Sequence, residues 1–268
     1  MTNSRYTPGA GGRRGIGPLL VLLVSVVAVT TAVVGCGRGP DREVGVAPPG
    51  AGEPVPVIQL VAAGRPAGPL EDWARRRGGK YGIPVRALQA YGYATVVLAK
   101  TQPGCHLGWT TLAGIARVES DHGRHRGAKI ATDGVVKPPI RGVALDGTNG
   151  NARIIDPDVS ARTGHTVYAT AAGPFQFIPD TWKRWGVRAD TDYKTLASTL
   201  QKAKSAASDE QVGSPDNIDD AALAAGRYLC ASGGDLASAR GWRNAIFAYN
   251  HSDTYVRQIH ATATSYTA

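Results

Sequence analysis

Glycine and proline, which interrupt helices and strands, are unevenly distributed along this chain of 268 residues. They are dense over 37–69, where the sequence includes Gly-Arg-Gly-Pro and Ala-Pro-Pro-Gly and no helical or strand period persists. Beyond that stretch the apolar residues recur with a helical spacing. We therefore expect a Gly/Pro-rich linker over 37–69 and a folded domain over 70–268, long enough to bury a sizeable core.

The helical spacing predicts that the folded part is mainly α. The expected helices cover 84–102, 110–121, 179–185, 218–231, 242–249 and 254–263. Thr110 or Thr111 is expected to cap the second helix, Pro179 to open the third and Asn217 to cap the fourth. The segment 123–172 is rich in Gly, Asp, Pro and β-branched residues, which predicts a long loop or a small β insertion.

The N-terminal segment has the pattern of an export signal. Arg5, Arg13 and Arg14 precede an apolar run over 16–34, which is also long enough to anchor the chain in a membrane. The run ends in Gly35-Cys36, which resembles the lipobox in which a cysteine is lipidated. We expect 1–36 to be a signal peptide with a lipobox or a membrane anchor, and we favour lipidation of Cys36. The remainder would then be an extracytoplasmic part of the cell envelope, attached to the membrane.

The three cysteines agree with an oxidising compartment. If Cys36 carries lipid, Cys105 and Cys230 remain as a pair. A disulfide between them would close a loop of about 125 residues and stabilise the fold by on the order of 4 kcal/mol. Two independent buried thiols are the alternative that the sequence leaves open.

The positive charge indicates an acidic partner. The net charge is +9, and the run Arg75-Arg76-Arg77 adds to it locally. Nucleic acid, anionic lipid and an acidic wall polymer would all suit such a chain, and solubility alone would also explain the charge. Since an exported protein rarely meets nucleic acid, we expect no nucleic-acid partner and favour lipid or wall polymer.

One predicted helix carries a carboxylate on its apolar face. Leu112, Ile115 and Ala116 stand at i, i+3 and i+4 of an inward-facing stripe, and Glu119 takes the i+7 position. Burial and the negative end of the helix dipole would both raise the pKa of this glutamate, which suits a general acid. A surface glutamate at a fraying helix end would fit the spacing as well. Asp121 is a poor partner because side chains at i and i+2 point to different sides of a helix.

Two later segments place polar groups where they can line a cleft. Gln176 stands between Phe175 and Phe177, and its amide can both donate to and accept from sugar hydroxyls and N-acetyl groups. Tyr249 and Asn250 end an apolar helix, where their polar tips can enter a cleft. Each segment alone would be interpreted as a turn or a helix end. Glu119 and the two segments are therefore considered together, as one set of motifs.

This set resembles the lytic murein transglycosylases, specifically the relatives of the membrane-bound B type. The resemblance spans about 81–256, and its motifs are Gly-Ile-Pro, Glu-Ser, Gly-Pro-x-Gln-Phe-Ile-Pro-x-Thr-Trp, Asn-x-Asp-Asp-Ala-Ala-Leu-Ala-Ala with a later Tyr-Leu-Cys, and Tyr-Asn-His-Ser-x-x-Tyr-Val. It implies a lysozyme-like helical fold with a long sugar-binding cleft. It also implies cleavage of the β-1,4 bond between N-acetylmuramic acid and N-acetylglucosamine in peptidoglycan strands.

The resemblance implies a role for each matching residue. Glu119 would protonate the glycosidic oxygen and then, as a carboxylate, take a proton from the muramyl 6-hydroxyl, which attacks C1 of its own ring and leaves a 1,6-anhydro end. The substrate-binding residues would be Ser120, Gln176, Phe177, Tyr249 and Asn250.

The chain departs from many such relatives after the Thr-Trp motif. They carry an Asp-rich, EF-hand-like loop there, whereas 187–193 reads Val-Arg-Ala-Asp-Thr-Asp-Tyr. Two aspartates do not supply the oxygen ligands of a calcium site, so we expect no metal and no cofactor. His122 and His125 flank the helix-ending Gly123 and lack the further ligands of a zinc site.

The expected protein is thus a monomeric enzyme whose partners are peptidoglycan glycan strands and, through its N-terminal lipid or helix anchor, the membrane. Two other functions stay open. A lysozyme-type muramidase would use water as the nucleophile and give reducing ends that are one water heavier. A non-catalytic peptidoglycan-binding module would bind sacculi and release no fragments.

Overall fold

The computed structural model describes residues 46–60, 64–201 and 212–268. Over these ranges the protein is mainly helical with a small β insertion, so the fold class predicted from the sequence is confirmed. The predictions for 1–36, including lipidation of Cys36 and the alternative membrane anchor, lie outside the described residues. No helix within the described ranges is long and apolar enough to cross a membrane.

In the described ranges all six predicted helices are present, together with three that were not predicted. The helices are α1 Glu71–Tyr81, α2 Val85–Thr101, α3 Trp109–Ser120, α4 Pro157–Thr163, α5 Pro179–Trp185, α6 Tyr193–Gln201, α7 Ile218–Gly233, α8 Ala239–Tyr249 and α9 Asp253–Thr264. The strands are β1 Lys129–Ile130, β2 Val136–Lys137, β3 Arg141–Ala144 and β4 Thr170–Ala172. The unpredicted helices are α1, α4 and α6.

The core forms around α2, which packs against α1, α3 and α7, while α7 packs on α8 and α3 packs on α9. Leu88, Tyr91 and Leu98 recur at helical spacing along α2 and are buried. Gly226 lets α7 approach them closely, since a Cβ at this position would overlap the Cδ1 of Leu98. The packing of these helices places the C-terminal ends of α3 and α8 in the same part of the protein.

Ten of the twelve residues of helix α3 are buried, and the predicted stripe of Leu112, Ile115 and Ala116 is confirmed with no exposed surface. The prediction that Thr110 or Thr111 caps this helix is wrong, because Gly108 is the N-cap and no side chain bonds there. Both threonines lie in the first turn, where they are part of the helix. The Thr110 hydroxyl donates instead to the carbonyl of Gly50, at 2.6 Å.

The C-terminal part of the expected linker packs on the helical domain. Over 46–60 the chain has no regular secondary structure, but its carbonyls accept hydrogen bonds from buried indoles. Trp109 donates to the Glu53 carbonyl and Trp73 to the Pro54 carbonyl, both at 3.0 Å. Arg65 forms an ion pair of 2.6 Å with the buried Asp219. We call 46–60 the N-terminal arm.

The segment 123–172 forms the small β insertion that was expected, with a short helix added. β1 pairs with β2 in one antiparallel hairpin, and β3 pairs with β4 in a second antiparallel pair. The Asp156 side chain caps α4 by accepting from the backbone of Val159. β4 continues directly into the segment that carries Gln176.

The predicted disulfide is confirmed. Cys105 and Cys230 are bonded, with their Cα atoms 5.2 Å apart and 125 positions apart in sequence. The bond joins the turn after α2 to α7, two elements that also pack together through their helices. The alternative of two free thiols is thereby excluded.

Candidate active site

The carboxyl group of Glu119 is buried at the C-terminal end of α3, where only 9% of the residue is exposed. The apolar stripe that precedes it explains this position, since i+7 continues the inward face of the helix. Asp121 ends α3 in the left-handed conformation, with φ of 52°. The chain therefore turns away one residue after Ser120 and leaves the glutamate on the last buried turn.

One oxygen of this carboxyl group has a partner and the other has none among the described residues. The Tyr255 hydroxyl donates to Oε1 of Glu119 at 2.5 Å. Oε2 is buried and accepts no hydrogen bond from any described residue. A buried polar atom without a partner costs free energy, so this oxygen is available to a donor that enters the site.

Burial raises the pKa of Glu119 from its ordinary value to about 7, while the hydrogen bond from Tyr255 opposes that rise by stabilising the carboxylate. The carboxyl group is therefore divided between its acidic and basic forms near neutral pH. A single group in that state can give a proton in one step and take one in the next.

The N-terminus of α9 positions Tyr255. The Ser252 hydroxyl accepts from the backbone N–H of Tyr255 and caps this helix. Tyr255, Val256 and Ile259 lie on the buried face of α9, which packs on α3. The tyrosine hydroxyl thus reaches the glutamate from the neighbouring helix.

Three of the sequence motifs converge on the turn 173–176, which joins β4 to Phe177. The Ser120 hydroxyl donates to the Pro174 carbonyl at 2.7 Å, and the Tyr249 hydroxyl donates to the Phe175 carbonyl at 2.7 Å. The ends of α3 and α8 are thereby tied to the same turn. We call residues 173–176 the glutamine turn.

Gln176 is half-buried on this turn and has φ of 51°, a left-handed conformation that is uncommon for a residue with a side chain. Its backbone N–H and its side-chain Nε2 both donate to the Gly173 carbonyl, at 3.1 and 2.8 Å. Those two bonds hold the amide in place. Oε1 receives no hydrogen bond from the described residues, so it can accept one from a ligand.

Tyr249 and Asn250 lie at the end of α8, as predicted. The Tyr249 ring stacks parallel to that of Tyr255, with 6.5 Å between the ring centroids. Asn250 is the C-cap of α8, and its Oδ1 is buried with no hydrogen-bond donor among the described residues. Two acceptors, on Asn250 and Glu119, are therefore left unpaired in this part of the protein.

Two of the predicted substrate-binding residues, Ser120 and Phe177, are buried. The Ser120 hydroxyl is buried, donates to the Pro174 carbonyl and accepts from the backbone of Gly123, so its bonding capacity is used within the protein. Phe177 is 3% exposed, and its ring packs edge-on against Trp182 and Tyr249. Ser120 therefore bonds to the glutamine turn, and Phe177 packs directly after it.

Tyr255 is the site residue that sequence analysis did not assign. It stands in the motif that also holds Tyr249, but no role followed from the pattern. The sequence feature that points to it is the apolar spacing of Tyr255, Val256 and Ile259, which predicts a buried face. A buried tyrosine hydroxyl requires a partner, and that requirement could have indicated this residue.

Four further acidic or histidine side chains have partners within the protein. Asp158 pairs with Lys183, and Asp190 pairs with Arg188. Asp192 accepts from the backbone of Thr195. The buried ring of His122 lies between the hydroxyls of Tyr91 and Tyr266, at 3.1 Å from each.

No group of three or more His, Cys, Asp or Glu side chains that could hold a metal ion occurs in the described part of the chain. Comparisons with protein-family models, with curated proteins and with solved structures find no match to this chain.

Proposed function

We propose that this protein is a peptidoglycan lytic transglycosylase, and that Glu119 acts first as the acid and then as the base. The observation that carries the proposal is the Glu119 carboxyl group. It is buried, it has a pKa of about 7, and its Oε2 has no donor among the described residues. The resemblance of the surrounding motifs to the lytic murein transglycosylases supplies the substrate, a glycan strand of alternating N-acetylmuramic acid and N-acetylglucosamine.

In the first step the protonated carboxyl group donates to the glycosidic oxygen, and the bond from that oxygen to C1 of the muramyl ring breaks. In the second step the carboxylate takes the proton of the muramyl 6-hydroxyl while that oxygen bonds to C1. The glutamate ends protonated, and the product has a 1,6-anhydro ring. A group with a pKa near the working pH suits both transfers.

A mechanism with one carboxylate fits the surroundings of Glu119 better than one with two. Burial and the Tyr255 hydrogen bond account for the shifted pKa, and no carboxylate of the described residues contributes to it. Of the aspartates in the β insertion, Asp156 caps α4 and Asp158 pairs with Lys183 of α5. A retaining hydrolase would need a second carboxyl group about 5 Å away.

The residues around the carboxyl group would bind the sugar. Neither Oε1 of Gln176 nor Oδ1 of Asn250 receives a hydrogen bond from the described residues, so both can accept one from hydroxyl or N-acetyl N–H groups. The expected export signal over 1–36 would carry the enzyme to its substrate in the cell envelope, with membrane attachment through Cys36 or an N-terminal helix.

The masses of the products test the reaction itself. Purified peptidoglycan digested by the wild-type protein is expected to release muropeptides with 1,6-anhydro ends, each one water lighter than the reducing form. Reducing ends throughout would indicate a lysozyme-type hydrolase instead. Binding of sacculi without release of any fragment would indicate a non-catalytic module.

A further inference from the structure

A basic groove lies beside the turn between α1 and α2. It consists of two adjoining cavities of about 870 and 730 Å³ that share Arg124 in their walls. The larger cavity is lined from the segment before α1, from α1 and α2, and from the loop after α3. The smaller one is lined from the ends of α1 and α3 and from α9. Neither lining includes Glu119 or Gln176, so the groove is separate from the candidate active site.

The lining of this groove is strongly cationic. Its charged residues comprise six cations and one carboxylate, Glu71. The cations are Arg65, Arg75, Arg86, Arg117, Arg124 and Lys129.

Nearby carboxylates neutralise only part of this charge. Arg65 pairs with Asp219 and Arg75 with Glu71, while Asp121 is shared between Arg117 and Arg124. Three carboxylates therefore face six cations. The remaining excess of three positive charges lies at the groove.

Arg86 and Lys129 contribute most directly to that excess. Both side chains are exposed, and neither has a carboxylate partner among the described residues. One guanidinium N–H of Arg86 donates to the Ile130 carbonyl at 3.2 Å, which holds the charge at the groove wall. Exposed like charges repel one another, and an anion that binds there would relieve the repulsion.

We propose that this groove binds an extended phosphodiester polymer that carries no bases. Arg124 lines both cavities, so an extended polymer that passes this side chain reaches the two of them, whereas a flat bilayer surface would not fill them. Five of its six cations are arginines, whose planar forks suit the oxygens of phosphate groups. The aromatic rings in its wall do not offer open faces on which bases stack, because Tyr266 is buried and the Lys80 ammonium lies over the Tyr81 ring, 5.0 Å from its centroid.

Binding of an end-labelled poly(glycerol phosphate) to the purified full-length protein, followed by fluorescence anisotropy at low ionic strength, tests this inference. The test variant is Arg75→Gln with Lys129→Gln, which removes two cations of the groove. The matched control is Arg76→Gln with Lys137→Gln. It removes the next arginine of α1 and the cross-strand partner of Lys129, both exposed and both outside the groove lining.

The wild-type protein is expected to bind the polymer, and added salt should weaken the binding as counterions compete. The groove variant should bind about tenfold more weakly and show a shallower salt dependence, whereas the control should stay within about twofold of wild type. Release of muropeptides from polymer-free peptidoglycan should be the same in all three proteins, which separates this result from the test of Glu119.

Three results would overturn the inference. One is absence of binding by the wild-type protein. Another is equal weakening in both double variants, which would mean that net charge alone attracts the polymer. The third is tighter binding of single-stranded DNA or of phosphatidylglycerol vesicles than of poly(glycerol phosphate), which would assign the groove to nucleic acid or to membrane.

Discussion

At the scale of single residues, the chemistry depends on a balance of two effects on one carboxyl group. Burial of Glu119 disfavours the carboxylate, and the hydroxyl of Tyr255, 2.5 Å from Oε1, favours it. Burial is the larger effect, so the pKa rises to about 7 rather than falling. The hydrogen bond from Tyr255 thereby keeps the pKa of Glu119 near neutral pH, where the carboxyl group can both give and take a proton.

The Tyr255→Phe variant tests this balance. Loss of the hydroxyl removes the hydrogen bond that stabilises the carboxylate, so the pKa of Glu119 should rise further, by about one unit. Because the first step needs the protonated acid, kcat/KM of the wild-type protein should fall as the pH rises through about 7. In the variant this fall should move to higher pH.

Tyr93→Phe is the matched control, since the Tyr93 hydroxyl donates to the Ala189 carbonyl at 3.0 Å and has no contact with the site. Its pH profile should match that of the wild-type protein. An alkaline limb that stays in place in Tyr255→Phe, or that moves to lower pH, would contradict the role given to this tyrosine.

At the scale of elements, the glutamine turn depends on one glycine. Gly173 has φ of +74°, and a Cβ at this position would overlap the carbonyl oxygen of Pro215. Its own carbonyl holds both nitrogens of Gln176. The close approach of the Gly173 and Pro215 backbones therefore fixes the position of the Gln176 amide.

The Gly173→Ala variant should lose most of its activity, because the turn must shift to admit the methyl group. The matched control is Gly164→Ala. Gly164 has φ of +73° but nothing within 4 Å of the added Cβ. The control should cost about 1 kcal/mol in the free energy of unfolding and leave muropeptide release unchanged. Equal activity in the two variants, each checked by thermal unfolding, would be inconsistent with this role of the turn.

Much of this arrangement was predictable from the sequence because it is periodic. The spacing of Leu112, Ile115 and Ala116 placed Glu119 on a buried face, and Asn217 caps its helix as predicted. Contacts between distant segments have no such period. The donation from Ser120 to the Pro174 carbonyl spans 54 positions, and nothing in the local pattern indicates that it would occupy the hydroxyl.

At the scale of the whole molecule, two long-range connections hold the helices together. The disulfide joins the end of α2 to α7, and the N-terminal arm satisfies the indole N–H groups of Trp73 and Trp109. The disulfide was predictable from the cysteine count. The contacts of the arm were not, because this irregular Gly- and Pro-rich segment bonds through its backbone carbonyls, which leave no trace in the residue pattern.

Breaking the bond between Cys105 and Cys230 should destabilise the protein. The loop of 125 residues predicts a loss on the order of 4 kcal/mol in the free energy of unfolding, and a fall in Tm of roughly 10 °C. Calorimetry with and without reductant measures it, with mass spectrometry of alkylated thiols to show that the bond is broken. An unchanged Tm in the fully reduced protein would contradict this contribution.

The central claim is that Glu119 is the single carboxylate that breaks the glycan strand. Its most direct test compares muropeptide release from purified peptidoglycan by the wild-type protein, by Glu119→Gln and by Glu53→Gln. The exposed Glu53, in the N-terminal arm, pairs with Arg77, so its variant makes the same chemical change away from the site. Above pH 7 the Glu119→Gln variant should also unfold at a higher temperature than wild type, because burial penalises the charged glutamate.

The account predicts that Glu119→Gln folds, still binds the glycan and releases essentially no soluble fragment, while Glu53→Gln releases as much as the wild-type protein. Turnover by Glu119→Gln at the wild-type rate would contradict it.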